Sequence, residues 1–115
     1  MLVGSAPVSS EILTFLKVVL SIPIIESYGQ TECGSLTFVS QMDPTNGHVG
    51  GPCSLVKMRL KDLPELGYLS SDNPPRGEIQ AKSSATILGY YKNPVRTLEL
   101  FENGWVSTGD VGQVY

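Results

Sequence analysis

Three short clusters in this sequence combine residue types that could do chemistry. Tyr28-Gly29-Gln30-Thr31-Glu32 puts an aromatic ring, a glycine, a hydroxyl and a carboxylate within five residues. Those groups offer ring stacking, close backbone approach, hydrogen bonding to a phosphate oxygen and ligation of Mg2+, a hard cation that takes one or two carboxylates plus phosphate oxygens. The competing reading is a polar loop capped by Thr31. Gly4-Ser5-Ala6-Pro7 lets the backbone approach a flat or anionic ligand ahead of a helix N-terminus; the same residues also make an ordinary strand-to-helix turn. Gly104-Trp105-Val106-Ser107-Thr108-Gly109-Asp110 holds a carboxylate on a tight glycine turn, where it could accept both hydroxyls of a ribose. Against that stands a plain turn in which Asp110 bonds its own backbone.

The elements that must position these clusters follow from the hydrophobic pattern. Met1-Leu2-Val3 reads as a strand running into Gly4. Ser9 and Ser10 supply N-cap chemistry, and Glu11 suits the helix dipole. Ile12, Leu13, Phe15, Leu16, Val19 and Leu20 then recur at helical spacing. Few polar residues interrupt this helix, so further protein is expected to cover much of it. Residues 22–26 read as a short strand, with Pro23 near its start. Strand, helix and strand make a βαβ unit, and residues 28–32 then lie just beyond the second strand, at the edge where open α/β sheets bind ligands.

Downstream the pattern changes. Strands are expected at residues 36–40, 54–60 and 78–82, separated by turns around Asp43-Pro44 and Asn73-Pro74. Asn93 and Pro94 start a short helix whose Leu98 and Phe101 face inward, and residues 105–115 return to strands and turns. The expected fold is an α/β fragment. Residues 1–40 form the end of an α/β layered subdomain, and residues 41–115 form a small distorted β-barrel subdomain, incomplete at its C-terminus. Strand patterns at both ends, with no stop signal after Tyr115, predict a piece of a larger protein whose unpaired edges invite dimerisation.

Composition narrows the function classes. The chain has 115 residues, 17% of them charged against a usual value of about 25%, and 41% hydrophobic, which argues against disorder. Its net charge is −3 with no Lys/Arg cluster, a poor match to nucleic acid or to an anionic membrane. The longest apolar stretch, residues 12–25, contains Lys17 and Pro23 and is too short to cross a bilayer. Cys33 and Cys53 make neither a metal spacing nor a disulfide framework and are read as reduced.

The clusters in their order, together with Arg76-Gly77-Glu78-Ile79 and Gly89-Tyr90-Tyr91-Lys92-Asn93-Pro94, resemble the adenylate-forming (AMP-binding) superfamily. The resemblance runs nearly end to end. Leu63-Pro64-Glu65-Leu66-Gly67-Tyr68 and Gly47-His48-Val49-Gly50 make it most similar to long-chain fatty acyl-CoA synthetases. The resemblance implies a ligase that adenylates a fatty acid with ATP and Mg2+, then passes the acyl group to CoA. It implies that Gly4, Ser5 and Ala6 lie against adenine and ribose, and that Tyr28 stacks on adenine. Gly29 flanks the acyl channel with Gly34, and Gln30 is counted with the nucleotide contacts. Thr31 bonds the α-phosphate, Glu32 holds Mg2+, and Asp110 clasps the ribose hydroxyls. It also implies a location on the cytosolic face, peripheral to the endoplasmic reticulum or other membranes. Activation of medium-chain or aryl acids, a luciferase-like use of the adenylate, and a non-catalytic scaffold are the alternatives.

Other matching residues read as structural. Glu78 is expected to pair or hydrogen-bond inside the barrel, and Trp105 to pack a core. His48, the single histidine, needs no base role, because a carboxylate nucleophile is already ionised near neutral pH. Val3 and Ser27 depart from the family pattern, which usually has a small hydroxyl residue and a glycine there. The family's phosphate loop, hinge and catalytic lysine have no counterpart in these residues, so the 115 residues alone are expected not to complete catalysis.

Overall fold

A computed structural model describes all residues from Met1 to Tyr115. The chain divides into two compact units, one of Met1–Gln30 and Gly34–Ser54, the other of Thr31–Cys33 and Leu55–Tyr115.

The first unit is built on a four-stranded sheet of order β1-β2-β3-β4. Leu2–Val3 (β1) is followed by the helix Ser10–Leu20 (α1) and the strand Ile25–Gln30 (β2). β1 pairs with β2 in parallel, Leu2 opposite Ile25 and Val3 opposite Glu26, so the expected βαβ unit forms. Ser9 caps α1, its hydroxyl accepting from the Ile12 amide at 3.3 Å, and Glu11 occupies the first turn, where the helix dipole favours a carboxylate. At the other end Ser21 takes the left-handed conformation. Leu13 is fully buried, while Phe15 is 62% and Val18 71% exposed. Most of the apolar helix surface therefore finds no cover within this chain.

The second strand differs from the expectation of residues 22–26. Pro23 has no amide to donate; its carbonyl accepts from the Met1 ammonium at 2.6 Å, and the ladder starts with the Ile25 amide on the Met1 carbonyl. β2 then runs on through Gln30, because the strand Gly34–Phe38 (β3) folds back along it. Gly51–Pro52 (β4) closes the sheet against β3, and the Thr37 hydroxyl donates to the Val49 carbonyl.

The second unit carries a curled half-barrel sheet of order β5-β6-β8-β7, antiparallel throughout. Its strands are Lys57–Lys61 (β5), Arg76–Lys82 (β6), Phe101–Glu102 (β7) and Trp105–Gln113 (β8). Along β5 Met58 and Leu60 are more covered than Lys57 and Arg59, while Lys61 is half-buried like them. Pro94–Leu100 (α2) starts at Asn93, whose side chain accepts from the Arg96 amide. Here one expectation fails: Leu98 is 78% exposed, and Leu100 is the buried residue of α2. The helix ends at Leu100 and Phe101 already pairs with Val106, so the packed face is set by the strand that follows.

A fully buried glutamine, Gln80, anchors this sheet. Arg59 Nε donates to its Oε1 at 2.8 Å, while its Nε2 donates to Glu102 Oε2 at 2.7 Å and to Ser107 Oγ at 2.9 Å. Lys61 Nζ reaches the same Glu102 oxygen at 2.6 Å. Trp105 is half-buried, with Arg59 and Lys82 cations 4.5 and 4.7 Å from its ring centroid, so it sits beside charge and not in an apolar core as expected.

Because burying polar groups without partners is costly, Gln80→Leu should destabilise the unit by about 1–3 kcal/mol in urea denaturation. The Lys61 and Gln80 hydrogen bonds hold the Glu102 carboxyl below its ordinary range. A carboxylate with a depressed folded pKa contributes stability above its unfolded pKa and loses it as pH falls through the folded value. Stability should accordingly decline below about pH 4, and Glu102→Gln should flatten that part of the acid limb.

Candidate functional site

In the first unit the βαβ pairing brings two of the three clusters to one edge. Val3 is opposite Glu26 in the parallel ladder, so Gly4 and Tyr28 lie just past the paired residues. A side chain at Gly4 would come within 2.8 Å of the Ser27 carbonyl, which explains the small residue there. Ser5 has φ 74°, in the left-handed region uncommon for residues with a side chain. Ser5 and Ala6 are exposed.

Tyr28, Gly29 and Gln30, expected just beyond the second strand, lie within β2. Tyr28 pairs with Thr37 and Gly29 with Ser35, so Leu36 is an extra, buried residue on β3. Such a bulge re-aims side chains. It also brings the strands so close that a Cβ at Gly29 would stand 2.2 Å from the Gly34 carbonyl oxygen. All three residues are half-buried.

The second unit holds Thr31, Glu32 and Asp110. Thr31 is exposed and Glu32 half-buried in the turn Thr31–Cys33. The Ile87 amide donates to the Glu32 carbonyl at 2.9 Å, and the Tyr90 hydroxyl donates to Glu32 Oε1 at 2.6 Å. That hydrogen bond, with some desolvation, pushes the Tyr90 phenol above the ordinary tyrosine range. Tyr90 lies in a segment that resembles the family, and no local signal assigns it a role, since its partner is 58 residues away.

Asp110 was expected on a tight turn and lies instead on a bulge within β8. Glu78 opposes Val111 and Gln80 opposes Ser107, so Thr108, Gly109 and Asp110 together face only Ile79. The Thr108 hydroxyl donates to the Ile79 carbonyl at 2.7 Å and accepts from the Asp110 amide at 3.2 Å, and the Gly109 amide donates to Glu78 Oε1 at 3.1 Å. Gly109 has φ 73°, which glycine takes without strain. Glu78 therefore acts as a structural hydrogen-bond acceptor, and Asp110 is presented on the exposed surface.

His48 belongs to neither set. Its Nδ1 accepts from the Gly50 amide and its Nε2 lies 3.3 Å from Asp43, a loop-stabilising arrangement. A shallow concavity near Lys17, Ile24 and Asn46 contains none of the expected site residues. No group of three or more His, Cys, Asp or Glu residues could hold a metal ion. The hard oxygens of Glu32 and Thr31 suit Mg2+ only where ligand oxygens complete the shell, as phosphate does.

The family described as AMP-binding enzyme matches residues 1–91. The chain belongs to that family. It is 40% identical over 112 residues to long chain acyl-CoA synthetase 6, peroxisomal, of Arabidopsis thaliana, covering 95% of this chain and 16% of that protein. It is 41% identical over 117 residues to long-chain-fatty-acid–CoA ligase 1 of Homo sapiens, covering 98% of this chain and 16% of the relative. The chain thus spans 16% of the length of these two relatives. Among solved structures it is similar to the A domain of carboxylic acid reductase from Segniliparus rugosus, in complex with AMP and a co-purified carboxylic acid. That likeness has a TM-score of 0.77 and 37% identity over 98% of this chain and 17% of that one. The superfamily expected from the clusters is therefore the family to which this chain belongs.

Because the Gly29 contact is backbone against backbone, Gly29→Ala should cost at least about 1–3 kcal/mol and raise hydrogen exchange at the amides paired across Gly29 and Ser35. Gly51→Ala, where a Cβ meets nothing within 4 Å, is the control and should leave both unchanged.

Proposed function

We propose that the protein carrying this chain is an ATP- and Mg2+-dependent acid–thiol ligase acting on long-chain fatty acids and CoA. The observation that carries the substrate is the 40% identity, across 95% of the chain, to a long-chain acyl-CoA synthetase. In this reading the fatty carboxylate attacks the α-phosphorus of ATP. The bond from that phosphorus to the bridging oxygen breaks, pyrophosphate leaves, and an acyl-adenylate remains. The CoA thiol then loses its proton, sulfur takes the acyl group, and AMP departs.

The residues divide this work by chemistry. Tyr28 stacks on adenine, beside Gly4, Ser5 and Ala6, with Gln30 among the nucleotide contacts. Thr31 donates to the α-phosphate, where negative charge grows, and Asp110 accepts from the ribose hydroxyls. Glu32 supplies the protein carboxylate for Mg2+, which when bound offsets charge on the phosphates and the departing pyrophosphate. Its lipid substrate favours work at a membrane surface on the cytosolic side. No helix in the chain is long and apolar enough to cross one.

A second reading shares the first half-reaction. The likeness to a carboxylic acid reductase domain at 37% identity favours acid activation generally, with a different fate for the adenylate.

The test follows AMP release by the full-length protein with CoA, offering acetate, octanoate, palmitate or an amino acid. Palmitate-dependent turnover that collapses in Glu32→Gln is the expected result. Tyr28→Ala should weaken ATP binding by about 5- to 150-fold, the equivalent of roughly 1–3 kcal/mol of stacking. Turnover only with another acid would overturn the substrate. ATP·Mg2+ binding without turnover on any acid would move the assignment to a scaffold.

A further inference from the structure

We propose that Tyr90 is a positioning residue for Glu32, and that α2 sets the tyrosine through Thr97; this rests on the reading in which Glu32 supplies the carboxylate for Mg2+. The Tyr90 hydroxyl donates to Glu32 Oε1 at 2.6 Å. On the main chain of the same residue, the Tyr90 amide donates to Thr97 Oγ1 at 2.9 Å. Thr97 Oγ1 in turn donates to the Asn93 carbonyl at 2.9 Å, and the Asn93 amide donates to the Tyr90 carbonyl at 3.2 Å. The loop bearing Tyr90 is thus closed on the first turn of α2, whose start Asn93 fixes by capping. The main chain of Glu32 is held by a neighbouring residue of the same segment, through the Ile87 amide.

The chemistry of the donor matters as much as its position. A carboxylate can accept through both oxygens, so the phenol occupies Oε1 and leaves Oε2 for a ligand. A neutral phenol also leaves the carboxylate its full charge. A lysine in its place would compete with a cation for that charge. Glutamate is otherwise a freely rotating side chain, and a half-buried one on a turn needs an external contact to hold one orientation. This gives Gly89-Tyr90-Tyr91-Lys92-Asn93-Pro94 a purpose: it builds the arm that reaches the acidic residue from 58 positions away.

The experiment uses the full-length protein and three readouts: Mn2+ binding with a non-hydrolysable ATP analogue, followed by electron paramagnetic resonance; kcat and KM for the acid; and the melting temperature. Tyr90→Phe should weaken Mn2+ binding about 10- to 100-fold, the range for removing a residue that orients a metal ligand. It should lower kcat and leave KM for the acid and the melting temperature near wild type. Thr97→Val should move Mn2+ affinity and kcat the same way, and Thr97→Ser should restore them. Wild-type Mn2+ affinity in Tyr90→Phe, with Glu32→Gln impaired, would overturn the positioning role and leave the Glu32 assignment standing. Unchanged Mn2+ affinity in Glu32→Gln would overturn that assignment and the proposal together. If Tyr90→Phe does not fold, the Thr97 pair decides: wild-type affinity in Thr97→Val overturns the proposal.

Discussion

The double pairing of β2 is the constraint on which the first unit depends. One edge of the strand takes β1 in parallel at Ile25 and Glu26, and the other takes β3 in antiparallel from Ser27 to Gln30. A parallel neighbour requires a crossover, and α1 supplies it. The antiparallel neighbour extends the strand through Tyr28 and Gly29, so residues that could touch a ligand sit on rigid backbone. Precision of this kind favours catalysis, since sites on strands are held more closely than sites on free loops. The contact at Gly29 shows the cost of that arrangement: two backbones approach so closely that no side chain fits between them.

The second unit reaches a similar result with different interactions. Its sheet is centred on a buried amide, Gln80, whose oxygen and nitrogen are both engaged. A fully satisfied polar network of this kind fixes one register where an apolar contact would permit sliding. The register then breaks opposite Ile79, where β8 carries three residues against one. Glu78 and Thr108 hold the displaced loop by hydrogen bonds to and from backbone. In both units the antiparallel ladder is irregular beside the residues with chemistry, which is where bulges concentrate.

For function, the division between shared and specific chemistry is informative. In the proposed reading the polar groups suited to a nucleotide and its phosphates are within these residues, and they would serve any acid that is to be adenylated. Similar identity to acyl-CoA synthetases and to a carboxylic acid reductase domain fits that view. Selectivity for the acid requires a pocket of defined length. The large apolar residues of α1 that stay exposed, Phe15 and Val18 among them, are surface that the rest of such a protein could use.

The sequence by itself determined the local elements and the chemical inventory. Ser9 and Asn93 were legible as helix caps because a cap depends on a side chain two or three residues from its target. The βαβ order was legible from hydrophobic period, and Tyr28, Thr31, Glu32 and Asp110 from residue type and order. Tertiary structure decided what depends on partners far along the chain. Residues 28–30 became strand because β3 returns beside them, and Leu98 turned outward because Phe101 pairs with Val106. Asp110 moved from a turn to a bulge because the register of β6 against β8 leaves three residues opposite one. Tyr90 met Glu32 across 58 residues. Backbone propensity and capping act over one helical turn, whereas strand register and side-chain pairing are fixed only when distant segments pack.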